Sequence, residues 1–506
     1  MAVLGRKRPV LDALKLLWTV LAVWYEHYVF ISSVRRCIWP DSAIPDSKDA
    51  KKTHVLLVAD PQILDHRSYP ERGPLLTYIS QLLVDLNLRK SWRAALRLQP
   101  DVVVFLGDMM DGGRFAMSDA EYEKYFRRFK SIFKLDHRIP QYFIPGNHDT
   151  GLGFSEEFSD QAGARYKSHF GPLNSRATIA NHTAVFVDAP GLVDEDSHLR
   201  SNYDGKFVPG GPTEMIQSFK QSQEPDPIIL FTHIPLSRPD GSSCGPNRER
   251  GTIRTGAGFG YQNTLGKSAS AFLLQTLQPA IIFSGDDHDY CEYTHSYTSA
   301  GKTKQSREIT VKSLSMAMGV RIPGFQLLSL AELHSTQGTS SHADSLCLLP
   351  DQLGIYLSTY IPLLILSLAI LLFANVYRVL FRRHSRRRSS FTEPPVRLSL
   401  HPRPEARQSE GWLHYPDNEH DRLPGPLSSF KKPSPPLYTR TFVLWGRRRR
   451  ITVSRESVTS LPRIIFGNHD VPISRGFVVG FLYDVRDVAM FPLAIFAAVS
   501  WWMFVF

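Results

Sequence analysis

Cysteine is scarce in this chain: Cys37, Cys244, Cys291 and Cys347 are the only four in 506 residues. An even count allows two disulfides, with three pairings open, and four reduced thiols fit as well. A general excess of positive charge is also missing. Lys and Arg outnumber Asp and Glu by 59 to 48, but much of that surplus sits in two tail runs, residues 382–388 and 447–450. No aromatic residues interleave those runs and no nucleic-acid module accompanies them, which excludes nucleic acid as a partner. The apolar stretch 16–32 lacks a small-residue cleavage site, so a cleaved signal peptide is excluded. Residues 353–377 lack any charge over ~25 positions, which a soluble core helix of that length would not.

What is present organises the chain into one large domain with appendages, and 42% hydrophobic content is ample for a core. Residues 353–377 read as a transmembrane helix. Arg378, Arg382, Arg383 and Arg386 to Arg388 follow it at once, and by the positive-inside rule that end is cytoplasmic. Arg6, Lys7 and Arg8 before the first apolar stretch give the same orientation. This predicts a short cytoplasmic N-terminus over 1–15, an uncleaved transmembrane signal anchor over 16–34, and a domain over 41–350 on the far side. Glu26 and His27 inside the first stretch leave an amphipathic helix as the alternative. Residues 378–475, basic and rich in Pro and Ser, read as a disordered cytoplasmic linker open to sorting partners. Residues 488–506 read as a further transmembrane helix, making the protein multi-pass with the lipid bilayer as a partner.

Within the domain, residues 102–114, VVVFLGDMMDGGR, read as a strand buried on both faces that ends in a Gly-Asp turn and exposes Asp108 at its carboxyl edge. Ligands bind at that edge in an open α/β sheet. Four other apolar runs end in metal-type side chains: VLLVAD at Asp60, YFIPGNHD at Asn147 and His148, IILFTH at His233, and AIIFSGDDHDY at Asp286 and His288. Residues 75–98 carry Leu82, Leu83, Leu86, Trp92 and Leu96 at the spacing of a crossover helix packed on a sheet. Ser118 and Glu121 form a capping box ahead of an aromatic stripe that belongs to the core. Residues 239–260 form a long Gly-, Arg- and Ser-rich loop just after a ligand strand and read as a substrate lid. Asn181-His182-Thr183 is a glycosylation acceptor by pattern. Residues 464–470, IIFGNHD, copy one block without partner strands and read as coincidence. Cys37 and Cys347 flank the domain while Cys244 and Cys291 follow two of the site strands.

The blocks Asp60, Gly107-Asp108, Gly146-Asn147-His148-Asp149, His233 and Gly285-Asp286-Asp287-His288 resemble the five-block signature of the calcineurin-like metallophosphoesterases. The wording GDMMDGGR, FIPGNHD, THIPL and SGDDHDYC is similar to the branch holding the fungal cell-division-control and mammalian post-GPI-attachment phosphoesterases. The likeness covers about residues 53–293. It implies an α/β fold of the αββα sandwich type, two β-sheets flanked by helices, here with N- and C-terminal transmembrane helices. It implies two divalent metal ions, which together activate a water nucleophile and stabilise a leaving oxygen. Asp60 and His288 would bind the first ion, Asn147, His233 and Asp286 the second, and Asp108 would bridge them. His148 would be the general acid, oriented by Asp149. Asp111 would orient a ligand or simply make a turn, and Arg114 would reach a phosphate oxygen or form a surface pair. Where the family usually has His, this chain has Gln62 in the first block and Asp286 in the last. Oxygen donors favour Mn²⁺ or Mg²⁺ over Zn²⁺, so manganese is expected. The branch further implies a phosphodiesterase, in the endoplasmic reticulum membrane or early Golgi with its catalytic domain lumenal. It would remove ethanolamine phosphate from a mannose of the GPI glycan on GPI-anchored proteins or GPI glycolipid. Another ester, a phospholipid headgroup or a nucleotide, is the nearest alternative; a metal-poor sorting adaptor is the other.

Overall fold

Strands that are apolar at every position need cover on both faces. The computed structural model describes residues 7–45, 50–153, 155–200, 210–220, 226–332, 341–389, 436–444, 447–454 and 477–505, and it shows that cover. The strands are β1 (Lys52–Val58), β2 (Val102–Phe105), β3 (Gln141–Phe143), β4 (Ser175–Ile179), β5 (His182–Val187) and β6 (Ile228–Thr232). A short hairpin, β7 (Ala257–Gly258) and β8 (Tyr261–Gln262), is followed by β9 (Ile281–Ser284), β10 (Cys291–Ser299), β11 (Lys302–Thr310), β12 (Gly324–Ala331) and β13 (His342–Leu348). They form a five-stranded sheet in the order β13-β12-β1-β2-β3 and a six-stranded sheet in the order β10-β11-β9-β6-β5-β4. The pairs β1–β2, β2–β3, β5–β6, β6–β9 and β9–β11 are parallel; the outer pairs are antiparallel.

The two-residue period of a strand sorts its side chains into layers. Val55, Leu57, Val102 and Val104 meet Phe186, Ile229, Phe231 and Phe283 of the other sheet in one central core. Their alternates, Leu56, Val58, Val103 and Phe105, face helices α2 (Val29–Val34), α3 (Pro74–Leu96) and α4 (Asp119–Ile132), where α1 is Lys7–Val23. Ser118 caps α4 by accepting from the Glu121 amide, and Tyr122, Tyr125 and Phe129 are buried. On the far side, Val185, Val187, Leu230 and Ile282 pack on residues 189–200, 212–218 and 267–277. The result is an αββα sandwich, with the carboxyl ends of β1, β2, β3, β6 and β9 at the site. Two disulfides tie it, Cys37–Cys347 and Cys244–Cys291, across 310 and 47 residues.

The transmembrane expectations need correction. Among the described residues one helix is long and apolar enough to cross a membrane, Gln352–Arg378 in mid-chain, so the expected N- and C-terminal transmembrane helices fall. The multi-pass topology in the endoplasmic reticulum membrane, with a lumenal domain, falls with them. At the N-terminal end the reason is Glu26. The residue is buried, and its carboxylate accepts from Lys90 Nζ at 2.7 Å and from the Tyr360 hydroxyl at 3.0 Å. Phe30 and Val34, beyond it, belong to the core over α3. At the C-terminal end, the helix Phe477–Val505 carries Asp484, whose carboxylate accepts from Asn375 and Arg378. Two compact units divide the chain: Trp18–Leu363 with Leu493–Phe506, and Met1–Leu17 with Leu364–Pro492. Inside the expected linker, residues 436–444 and 447–454 pair as an antiparallel hairpin. The GNHD copy at 464–470 lies outside the described residues.

Candidate metal centre

Five side chains at the site sit on backbone that L-residues rarely adopt: Asp60 (φ 48°), Gln62 (39°), Asp108 (53°), Asp286 (65°) and His288 (66°). Each such residue costs about 1–3 kcal/mol and persists only where its surroundings impose it. Here the strand ends do so, turning each side chain off its strand and into one space. The glycines make that space narrow enough. A Cβ on Gly107 would lie 2.3 Å from the His233 ring, and one on Gly146 would lie 2.0 Å from Asp108 Oδ1.

His233 is fully buried and its Nδ1 lies 2.7 Å from the Leu106 carbonyl. A carbonyl only accepts, so Nδ1 carries the hydrogen and Nε2 is left as the ligating nitrogen. Around Nε2 stand Asn147 Oδ1 at 3.2 Å and Asp108 Oδ1 and Asp286 Oδ1, each at 3.4 Å. Lone pairs gathered in this way repel unless positive charge lies among them. Ligand atoms of Asp60, Asp108 and His233 all lie within 4.8 Å of one another. Asp60 Oδ1 accepts from the Asp286 amide at 3.1 Å, whereas the buried Oδ2 has no hydrogen-bond partner among the described residues. Gln62 Nε2 donates to Asp108 Oδ2 at 2.9 Å and reaches His288 Nε2 at 3.4 Å.

The titration behaviour follows from this crowding. Burial, with Asp108 and Asp286 nearby, pushes the Asp60 carboxyl well up. Burial opposes charge on His233, yet Asp108 and Asp286 outweigh it and hold that imidazole well above its ordinary value. Burial would also raise Asp108, but His233 and His148 hold it far below the usual carboxylate range. His288 is pushed down by burial, which keeps its ring neutral and able to ligate. Three clustered Asp side chains beside two imidazoles and the Asn147 side-chain oxygen, with one carboxyl oxygen unpartnered, are the donor set that divalent cations require. The site therefore fits two metal ions.

The remaining site residues depart from expectation in one respect. His148 donates its amide to Asp108 Oδ1 at 2.9 Å, and its Nδ1 meets the Asp111 carbonyl oxygen at 2.6 Å and Asp111 Oδ1 at 3.3 Å. Burial opposes charge on this ring, but Asp108 and Asp111 lift it to about 9. Asp149 does not hold the ring; it accepts the amides of Gly146, Met110 and Met109 at 3.0, 3.1 and 3.3 Å. The residue orienting His148 is Asp111, because the turn after Asp108 doubles back over the imidazole. Arg114 is buried rather than in a surface pair, and donates to the carbonyls of Gly260 at 3.0 Å and Asn147 at 3.3 Å.

Sequence reasoning missed Gly260. Its carbonyl also accepts from Asn147 Nδ2 at 2.7 Å, so the β7–β8 hairpin fixes a ligand side chain. The exposed aromatics at its tip, Phe259 and Tyr261, in the run GFGY, were the signal. The loop expected to be a lid is pinned to its surroundings by the Cys244–Cys291 bridge and by an Arg248–Asp287 ion pair at 2.5 Å.

Known proteins are similar to this chain in sequence. The family model described as calcineurin-like phosphoesterase matches residues 53–290. Cell division control protein 1 of Saccharomyces cerevisiae is 36% identical over 349 residues, covering 66% of this chain and 68% of that protein. Metallophosphoesterase 1 of Ailuropoda melanoleuca is 28% identical over 307 residues, covering 57% and 75%. The Metallophosphoesterase 1 homolog of Caenorhabditis elegans is 26% identical over 376 residues, covering 73% and 93%.

Proposed function

This chain belongs to the calcineurin-like phosphoesterase family and is a metal-dependent phosphoesterase, and from that premise we propose that it is a phosphodiesterase acting on a GPI glycan, releasing ethanolamine phosphate from a mannose. The observation that supports phosphoester chemistry is the gathering of Asp60, Asp108 and His233. The substrate reading rests on the motif wording shared with the GPI-remodelling branch, from GDMMDGGR to SGDDHDYC.

In this reading Asp60 and His288, with Gln62 beside them, would hold one ion, Asn147, His233 and Asp286 would hold the other, and Asp108 would serve both; the oxygen-rich set would favour Mn²⁺. Bound there, two cations supply charge to polarise the phosphoryl group and a nucleophile at neutral pH. His148, its Nδ1 fixed by Asp111, keeps Nε2 for the leaving alkoxide and gives it a proton. Gly260 holds Asn147 and Arg114 in place.

The test uses the full chain. Chelation should abolish hydrolysis of bis-p-nitrophenyl phosphate, Mn²⁺ should restore it, and mass spectrometry should detect ethanolamine phosphate released from a GPI glycan. Activity that survives chelation would end the metal reading. Hydrolysis of the aryl ester, a nucleotide or a phospholipid headgroup with the glycan untouched would end the substrate reading alone.

A further inference from the structure

The first half of α3 behaves unlike a helix of a soluble surface. From Pro74 to Val84 it carries no charged residue. Leu75, Leu76, Tyr78, Ile79 and Leu82 are 37–71% exposed, and their three- and four-residue spacing places them on one face. The second half is ordinary: Leu88 and Trp92 are buried against the sheet. An apolar stripe of this size without charge needs a cover other than water.

A cavity of about 720 Å³ indicates what the cover is. One wall is Ser80, Leu83 and Val84 of α3; the opposite wall is residues 353–358, the head of the helix able to cross a membrane. Leu353 and Leu357, at that head, are themselves 51% and 58% exposed. Arg72, stacked on the Tyr69 ring at 3.7 Å, and Arg321, paired with Asp351 at 3.1 Å, also line the cavity. Cations and aromatic rings beside an apolar wall are the usual furnishing of a membrane interface.

We infer that the first three turns of α3 and the head of the apolar helix form one face lying in the bilayer surface, and that the cavity between them takes an acyl chain of a glycerophospholipid. The phosphate of that lipid lies toward Arg72. The cavity that α3 shares with residues 353–358, the head of a helix able to cross a membrane, decides the occupant, since a protein partner there would have to displace lipid already in place. The inference does not depend on which ester the metal centre hydrolyses.

All four native cysteines are paired, so Leu76→Cys creates the sole free thiol. With an environment-sensitive fluorophore on it, in phosphatidylcholine nanodiscs, emission should rise several-fold and be quenched by acyl-chain-brominated lipid. The same label on Glu123→Cys, on α4, should do neither. Phosphatidylcholine bearing a diazirine on its acyl chain should crosslink to peptides spanning 69–84 and 316–321 as well as to 361–378. Filling the cavity with Ala317→Trp, or separately with Val320→Trp, should remove the first two crosslinks and keep the third. Labels at 76 and 123 that behave alike would overturn the surface, and crosslinks confined to 361–378 would overturn the cavity. Neither readout uses catalysis, so their failure is distinguishable from failure of the phosphodiesterase reading.

Discussion

Two aspartates near His148 perform different tasks, and substitution separates them. Asp111 touches the ring, whereas Asp149 accepts three backbone amides. Asp111→Ala keeps the main-chain carbonyl at 2.6 Å from the ring and removes only the carboxylate at 3.3 Å, so it should lower kcat by about 10-fold, the low end for an orienting group, while leaving the Tm nearly unchanged. Asp149→Ala should instead cost on the order of 3 kcal/mol of stability, because three amide hydrogen bonds are lost and buried donors are left unmade. Steady-state kinetics and thermal melts of the two variants check the split. Glu308 gives a pH prediction away from the metals. It is fully buried and accepts from Arg238 at 2.7 Å, His295 at 2.6 Å and Ser284 at 2.8 Å. Burial alone would raise it, but Arg238 and His295 prevail and bring it down from 4.5 to about 2. A carboxylate held below its unfolded value adds stability that is complete above about pH 4.5 and is lost as pH falls through about 2. The loss is on the order of 3 kcal/mol. Glu308→Gln should therefore melt lower at pH 7 and show a flatter fall in Tm between pH 4.5 and 2 than the parent chain.

Among elements, the buried parallel strands were the most legible. β2, β6, β9 and the second half of β1 are apolar at nearly every position and stop at Gly-Asp, Ala-Asp or Thr-His, so the run and its metal-type end are read together. β10 and β11 were not legible in this way. Runs such as KTKQSREIT at β11 alternate charge on an outer antiparallel pair and gain their place from the sheet beside them. α3 misleads because its first half shows the same Leu-rich spacing as its buried second half; periodicity identifies an apolar face without saying what covers it. The Asp111 contact was hidden for another reason, since a turn that folds back leaves no periodic trace. The loop from 239 to 260 was legible only as a loop. The cysteine pairing then makes it a wall of the site. Replacing Cys244 and Cys291 with Ser should cost about 2–4 kcal/mol by freeing a closed segment. It should also weaken metal binding, since Gly260 at the end of that loop holds Asn147. Thermal melts and metal titration of the double variant measure the two losses; unchanged metal affinity would mean that Asn147 is positioned without the hairpin.

At the scale of the catalytic unit, the segment 18–34 is joined to the domain through one buried ion pair. Glu26 and Lys90 have side chains 5% and 3% exposed. Lys90 also donates to Gln352 Oε1 at 3.0 Å, and Glu26 accepts from the Tyr360 hydroxyl. Helix α3, the N-terminal segment and the start of the apolar helix thus share one polar knot, and Cys37–Cys347 closes the same region covalently. A buried pair of this kind often contributes little net stability, because desolvation offsets the attraction, yet breaking it leaves an uncompensated charge. Lys90→Met alone should therefore destabilise by about 3–5 kcal/mol, lowering the Tm clearly. The double variant Glu26→Leu with Lys90→Met should recover most of that loss, because no buried charge remains to be satisfied. A single variant that melts like the parent would mean that Glu26 finds water or another cation, and the segment 18–34 would then be joined to the domain by apolar contacts and the disulfide alone.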